Sequence, residues 1–513
     1  MTYLYGAAVQ GIQNYIFQIN DLKNIIGASE LVEQICSSEL KSLIGEEWED
    51  DNSIISAAGN IKYIFDNEDT LKNEDTLKNV FLKFPKQIMQ LAPGITISQA
   101  AVQLNKEFSK AVNELENKLQ IQRNRPINSI TLGFMGMKRY PKTGLPLINK
   151  SINKEFVDAS TFAKKNVVDI NKRRVLCKKS FYGRNSYGKK LKAEQIASNI
   201  EDITDKNNWI AVIHADGNGI GQVVQKVGKN KEDYKNFSIA LDNATIKAAN
   251  DAYEAVKNEL EENSIIPIRP IVLGGDDLTV IIRGDLALPY VQKFLESFEK
   301  YTGEGDLSIL LSEHKVFKNG NKLTACAGIA FIKSSYPFYY GYDLAEQLCK
   351  EAKNKTKEYT KDGELPHSCI MFHKVQDSFI MEYKNIAKRE LYPNKEISFK
   401  FGPYYLSKEE KTKEFFTIKD LIECVDSLSN DNKEGIRSGI RQWLKSLYKN
   451  KEMAEQKLIR LKNIQENEEN KELLEKLTNA REEKDENDKD IKIQIYPAFD
   501  VLAYYTIKNQ NTK

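Results

Sequence analysis

The stretch Pro270–Ile282, PIVLGGDDLTVII, decides how the rest of the chain is read. An apolar run, Ile271-Val272-Leu273, meets Gly274-Gly275-Asp276-Asp277, and a second apolar run follows with Leu278, Val280, Ile281 and Ile282. Two short β-rich runs around a glycine-containing tetrad predict a tight hairpin. The glycines permit positive φ and leave the tip bare. Two adjacent carboxylates on a bare tip repel each other unless a cation sits between them. That pair suits a divalent metal held against a triphosphate. An ordinary solvated turn uses the same residue types, so the tetrad alone does not decide between the two.

At 513 residues the chain is long enough for three or four units. A hydrophobic content of 41%, with 24 Tyr and 22 Phe, is ample for real cores. Charge nearly cancels, 75 Lys+Arg against 73 Asp+Glu, so no global basic excess points to nucleic acid. The N-terminus MTYLYGAAVQG has no basic and long apolar signal-peptide pattern, and no apolar run is long enough to span a membrane. Cys36, Cys177, Cys326, Cys349, Cys369 and Cys424 form no CxxC pair, which argues against a zinc ribbon and a disulfide framework. A reducing, cytoplasmic setting is expected.

Along the chain, residues 3–9 read as a buried strand and Ile12, Tyr15, Ile16 and Ile19 as a helical face. Ser29, after Gly27-Ala28, is expected to cap a helix carrying Leu31, Val32 and Ile35. Strands near 53–57 and 61–65, a helix near 76–91 and the alternating ITISQAAVQ complete a first α/β unit, 1–104. Within it NEDTLK occurs twice, at 67–72 and 73–78, and reads as a duplication in a surface loop. Residues 105–207 form a linker unit, basic over 164–192 with Phe181, Tyr182 and Tyr187 interleaved. Such a stretch suits phosphate or single-stranded nucleic acid, or is a solvated linker. Residues 208–375 repeat the element order of the first unit without close identity, so a duplicated α/β domain is expected. Residues 376–513 turn helical, with a charged helix or helical hairpin over 450–490 and an apolar end, IYPAFDVLAYYTI, that docks back.

Asp216 ends the buried strand NWIAVIH-Ala-Asp, where ligands gather in α/β sheets. Gly217-Asn218-Gly219 lets a phosphate approach backbone N–H groups. If that strand pairs with the hairpin, Asp216, Asp276 and Asp277 converge on one side of the sheet, a set that suits two Mg²⁺ or Mn²⁺ ions. Lys353 would bring positive charge to a triphosphate, or is plain helix surface.

The sequence resembles the large polymerase/cyclase subunit of type III CRISPR effector complexes, with its two GGDEF-related palms. The resemblance rests on Gly11-Ile12-Gln13, Gly27-Ala28-Ser29, Thr143-Gly144-Leu145-Pro146, Ala215-Asp216-Gly217-Asn218, Gly274-Gly275-Asp276-Asp277, Ala352-Lys353, and the region of His367, Phe372 and His373. It implies an α/β (α+β) fold of two ferredoxin-like palms, a linker domain and a helical C-terminal domain. It implies a cyclase taking ATP, or other NTPs, to a cyclic di- or oligonucleotide messenger in antiviral defence. Asp216, Asp276 and Asp277 would then hold metal, and Gly217, Asn218, Gly219, Gly274, Gly275, Lys353 and Ser29 would contact nucleotide. RNA and CRISPR-type subunits are the implied partners; no membrane is implied, and the oligomeric state stays open. The rival reading is a non-catalytic RNA-binding scaffold of such a complex, and a third is a template-dependent polymerase. The sequence departs from the family in showing no HD-type nuclease domain and no zinc cysteines before the TGLP segment. In the first palm Ala57-Ala58-Gly59-Asn60 stands where the carboxylate tetrad would be, so that palm is expected to hold no catalytic metal.

Overall fold

The computed structural model describes residues 2–509 except 58, 67–69, 105–106, 126–135, 153, 169–174, 182–191, 205–207, 261–263, 378–381, 409–411 and 485–491. The first unit comprises β1 (Tyr3–Gln10), α1 (Ile12–Ile16), α2 (Leu22–Gln34), α3 (Leu40–Ile44), β2 (Ser53–Ala57), β3 (Asn60–Phe65), α4 (Thr70–Leu91), β4 (Thr96–Gln103) and α5 (Phe108–Arg123). Its strands form an antiparallel sheet in the order β2-β3-β1-β4. Alternation along β1 splits the side chains between two layers. Tyr5, Ala7 and Val9 join the core of α2 and α4, while Leu4 packs with Ala111 and Leu115 of α5. The repeated plan therefore extends one helix past residue 104.

The linker contributes β5 (Leu147–Ile152), β6 (Glu155–Asp158), α6 (Ala159–Val167) and α7 (Val175–Ser180). Helix α6 lies against α2 so closely that a Cβ on Gly27 would sit 1.9 Å from the carbonyl oxygen of Lys164. That contact explains the Gly27-Ala28 pair. Ser29 is not a cap: it lies inside α2, whose N-cap is Asp21, accepting from the Lys23 N–H. Of the described lysines of the basic stretch, Lys164, Lys165 and Lys179 meet the first unit, while Lys178 and Lys192 are exposed. Lys164 is fully buried, donating to Tyr15 O (2.7 Å) and Gln18 Oε1 (2.9 Å), and burial pulls its pKa down to about 8. Lys179 pairs with Glu33 of α2. Residues 169–174 and 182–191, with Tyr182 and Tyr187, lie outside the described residues.

The second unit comprises β7 (Trp209–Gly217), α8 (Ile220–Val227), α9 (Lys231–Val256), β8 (Ile268–Gly274), β9 (Asp277–Arg283), α10 (Ala287–Thr302), α11 (Gly305–Glu313), β10 (Ala325–Lys333), α12 (Phe338–Glu358) and β11 (Cys369–Lys374). Then follow α13 (Tyr383–Glu390), β12 (Ile397–Ser398), β13 (Tyr404–Tyr405), α14 (Ile418–Ser429), α15 (Glu434–Leu447), α16 (Lys451–Asn463), α17 (Glu468–Thr478), β14 (Arg481–Lys484), β15 (Lys492–Ile495) and α18 (Ala498–Lys508). The large sheet runs β13-β11-β10-β7-β9-β8. Four consecutive strands running to one edge, β10-β7-β9-β8, reproduce the first sheet's order read from the other end, so both sheets are ferredoxin-like.

Three expectations change. The second NEDTLK copy is helical, not loop, because α4 begins at Thr70; residues 67–69 lie outside the described residues. The C-terminal part carries a small sheet, β12-β15-β14, whose strands are two to four residues long and, in β14, wholly charged, so the sequence does not mark them. The cysteines, though none forms a CxxC pair, do not all stand apart: Cys326 and Cys369 are register partners on β10 and β11, with sulfurs 3.6 Å apart. The Cys349 thiol donates to Cys326 O. The C-terminal helix α18 docks back, with the Tyr504 hydroxyl donating to Asp285 O (2.7 Å). Among the described residues, no helix is long and apolar enough to cross a membrane.

Candidate active site

The pairing of β7 with β9 builds the site. His214 lies opposite Thr279 and Ala215 opposite Leu278, so one further step sets Asp216 opposite Asp277. Side chains alternate along a strand, and His214, Asp216, Asp277 and Thr279 therefore share one face. The His214 Nδ1 and Thr279 Oγ1 are 3.1 Å apart. Ligand atoms of His214, Asp216 and Asp277 all lie within 4.8 Å of one another. Asp276 is the second residue of the two-residue turn, and its side chain leans over Gly217. A Cβ on Gly217 would come 2.9 Å from Asp276 Cβ, which is why that position is glycine. The three predicted carboxylates are thus brought together, with His214 beside them.

Electrostatics mark the cluster as unstable without a cation. Burial raises the pKa of both Asp276 and Asp277. Asp216 raises Asp276 further, and Asp276 then Asp216 raise Asp277. The tip is thus half-buried and crowded with like charge, not bare as the glycines imply. Lys353 from α12 supplies one positive charge: its Nζ lies 2.6 Å from Asp216 Oδ2 and donates to Gly217 O at 2.7 Å. Its place beside the carboxylates agrees with the sequence reading, but its ammonium is committed to Asp216. Burial lowers the His214 pKa to about 4, so its imidazole is neutral and able to act as a ligand. Three crowded oxygen donors and a neutral nitrogen fit a hard divalent cation.

The remaining predicted contacts divide. Gly219 adopts positive φ (73°) immediately before α8, and Gly275 does so (62°) within the turn. Gly274 pairs with Asp277 to close the hairpin. Asn218 does not reach outward: it is 2% exposed, and its amide donates to Thr324 Oγ1 (3.0 Å) and Cys326 Sγ (3.4 Å), pinning the loop to β10. Ser29 is also buried, and its hydroxyl donates to Ile271 O of β8. A cavity of about 150 Å³ between the two units is lined by Gln13, Ser29, His214, Asp277, Thr279 and Tyr342 among others. Gln13 Nε2 donates to the Tyr342 hydroxyl at 2.9 Å. His214, Thr279 and Tyr342 escaped the sequence reading. The two-residue alternation of 214 with 216 and of 277 with 279 would have found the first two.

A ferredoxin-like sheet with carboxylates at its central strand end and at a Gly-Gly-Asp-Asp turn, doubled within one chain, defines a double-palm protein. Residues 209–361 match the family model described as Cas10/Cmr2, second palm domain. No curated protein matches the sequence. Among solved structures, a chain of the Csm1-Csm4 cassette in complex with cA3 is 12% identical, with 99% of this chain and 70% of that chain covered and a TM-score of 0.53. The cassette in complex with pppApA gives 12%, 99%, 69% and 0.50. The cassette in complex with AMPPNP gives 13%, 84%, 63% and 0.46. The chain thus spans between 63% and 70% of the length of these three matched chains. Residues 209–361 are thus similar to the Cas10/Cmr2 second palm, and the chain shares its double-palm fold with the Csm1-Csm4 cassette chains.

Proposed function

We propose that this protein is a nucleotidyltransferase of the cyclase type. It joins the 3′-hydroxyl of one ATP, or another NTP, to the α-phosphate of the next, releases pyrophosphate and closes a cyclic di- or oligonucleotide. The observation that carries this reading is the convergence of Asp216, Asp276 and Asp277 at one sheet end, with His214 and Lys353 in contact range. The chain divides in this reading at about residues 104, 207 and 375 into a degenerate first palm, a linker, a catalytic palm and a mostly helical C-terminal part.

Asp216, Asp276 and Asp277 would hold Mg²⁺ or Mn²⁺. Bound divalent ions lower the pKa of a hydroxyl nucleophile and neutralise charge on the leaving phosphates. Lys353 balances Asp216 and is near enough to share its charge with a phosphate. Gly219 and Gly275 hold positive φ beside the carboxylates, and Gly217 makes room for the Asp276 side chain. Asn218 and Ser29 serve this reading by fixing the loop and the palm–palm contact, not by touching nucleotide. The cassette of similar fold is seen with cA3 and with pppApA, which supports nucleotide ligands and a second-messenger role here. A cytoplasmic CRISPR-type complex with RNA and a Csm4-like subunit is the setting this implies.

Incubating the pure protein with each NTP and Mg²⁺ or Mn²⁺, then weighing the products, tests the reading. Cyclic products that vanish with chelator are expected. Intact NTP under all conditions, with RNA and subunits co-purifying, would favour the scaffold reading.

A further inference from the structure

The Gly-Gly-Asp-Asp turn does not hold itself. Its two central residues, Gly275 and Asp276, make up the whole connection between β8 and β9. Gly275 stands at φ 62°, and a Cβ placed there would meet nothing within 4 Å, so no packing fixes its peptide. Both polar groups of Gly275 are instead taken by α9. Its N–H donates to Asp242 Oδ1 at 3.0 Å, and its carbonyl accepts from Thr245 Oγ1 at 2.6 Å. The Thr245 hydroxyl also faces Leu241 O at 3.0 Å, its own helix's carbonyl, but the turn is the nearer acceptor. Thr245 is fully buried. The charged neighbour that Asp242 acts upon is Lys179, itself paired with Glu33.

Helix α9 is a firm mount. Near its start, Tyr234 accepts from Lys62 Nζ (3.0 Å) and Lys235 pairs with Asp51 (3.1 Å), both on the first palm. Near its end, Asp251 accepts from the Ser297 and Tyr301 hydroxyls, each at 2.9 Å, tying it to α10. The clamp residues lie between these anchors.

We propose that Asp242 and Thr245 are positioning residues: together they hold the Gly275 peptide so that Asp276 and Asp277 keep their crowded, metal-ready arrangement. This rests on the carboxylate reading given above. Like-charge repulsion between Asp216, Asp276 and Asp277 pushes the tip open, and two hydrogen bonds on one peptide oppose it. Outer hydrogen-bond partners of metal ligands commonly change metal affinity about 10-fold or more.

The test uses the full-length chain and its variants Thr245→Val, Thr245→Ser, Asp242→Ala and Asp242→Asn. Hydrogen exchange of a peptide covering 271–279 is followed without metal, and Mn²⁺ binding is measured by calorimetry. Thr245→Val and Asp242→Ala should speed exchange in that peptide, leave the first sheet's exchange unchanged, and weaken Mn²⁺ about 10-fold. Thr245→Ser keeps the hydroxyl and should behave as wild type; Asp242→Asn keeps an acceptor and should fall between. Wild-type exchange and wild-type Mn²⁺ affinity in Thr245→Val and Asp242→Ala would overturn the clamp. Wild-type protein that binds no Mn²⁺ would overturn the carboxylate reading instead, and the exchange arm would still decide the clamp.

Discussion

The two palms share a strand order and differ in what their equivalent positions carry. The hairpins match through their closing pairs, Ala57 with Asn60 in the first palm and Gly274 with Asp277 in the second. Asn60 therefore corresponds to Asp277. Across the central strand, Ala8 lies opposite Asn60 and Gly6 opposite Lys62, so Ala8 answers Asp216, Gly6 answers His214 and Lys62 answers Thr279. Each palm covers this face with the helix after its fourth strand. In the first it is α5, whose Leu115 would meet a Cβ on Gly6 at 2.8 Å. In the second it is α12, which brings Tyr342 and Lys353. Lys62 is buried, pairs with Glu116 of α5 and donates to the Tyr234 hydroxyl of α9, so its charge is satisfied by neighbouring protein groups. One backbone plan thus supports a neutral, closed version and a charged, open one. The chemistry lives in a handful of side chains, and the fold only sets their register.

The largest effect expected of any change is loss of chemistry without loss of fold. Asp276→Ala/Asp277→Ala should cut product formation at least ~100-fold, since removing ligands costs more than removing their supports. Its melting temperature should equal or exceed the wild type's in chelator, because the burial of two carboxylates and their mutual repulsion, which together raise both pKa values, are gone. Asp216→Ala should lose product likewise, though it also strips Lys353 of its partner. A double variant with undiminished product would place the active palm elsewhere.

Next comes a pair of stability changes that contrasts how each helix meets its sheet. A Cβ on Gly328 of β10 would sit 1.9 Å from Ala345 O and 2.4 Å from Cys349 N, both backbone of α12. Backbone cannot step aside, so Gly328→Ala should cost about 3 kcal/mol. A Cβ on Gly6 meets only the far ends of Leu115 and Leu119, at 2.8 and 3.2 Å. Gly6→Ala should cost about 1 kcal/mol or less, as those side chains can rotate. Denaturant midpoints of the two variants measure the contrast, and equal losses would mean that α5 is as rigidly seated as α12.

The sheets were largely legible in the sequence because their strands are apolar, short and punctuated by glycine. Asp216, Asp276 and Asp277 were legible because unpaired acids at strand ends have little other use. His214 was legible only through its two-residue spacing from Asp216 on one strand, whereas Tyr342 comes from a helix more than 120 residues on and was not legible at all. Ser29 and Asn218 misled for a related reason: small polar residues beside glycine read as caps or phosphate contacts, whereas packing turned both inward. Within the basic stretch Lys164 was not legible as buried, because the carbonyl, amide and ring face that hold its ammonium come from 146 and more residues away.

The second sheet also carries two strands with no counterpart in the first, β11 and β13, and the outer one is fastened by Asp500. Its carboxylate accepts from the Tyr404 hydroxyl at 2.8 Å, and burial pushes its pKa up to about 7. A raised acid is neutral when folded but ionised when unfolded between about 4 and 7, so stability falls as pH rises through that window. Asp500→Asn keeps the acceptor and removes the titration. It should be more stable than wild type at pH 8 by up to about 4 kcal/mol, with the difference shrinking toward pH 4. Urea unfolding at several pH values measures this, and a pH-independent difference would show that Asp500 stays ionised.

The smallest effect belongs to the first palm's own turn. Asn60 is exposed and stands where the second palm has Asp277, yet neither Ala8 opposite it nor Gly59 before it bears a charge. Gly59 before it holds φ 81°, and its carbonyl accepts from the Val9 N–H at 2.8 Å. Asn60→Ala removes an exposed amide from a strand end without touching that bond. It should change stability by less than about 0.5 kcal/mol, the usual range for surface substitutions. Product formation should change less than about 2-fold, because the variant leaves the carboxylate cluster and the cavity lining intact. Thermal melts and product assays run beside the Asp276→Ala/Asp277→Ala variant make the comparison direct. A large loss of product from Asn60→Ala would show that the first palm's turn reaches the reacting nucleotide, and the division of labour between the palms would have to be redrawn.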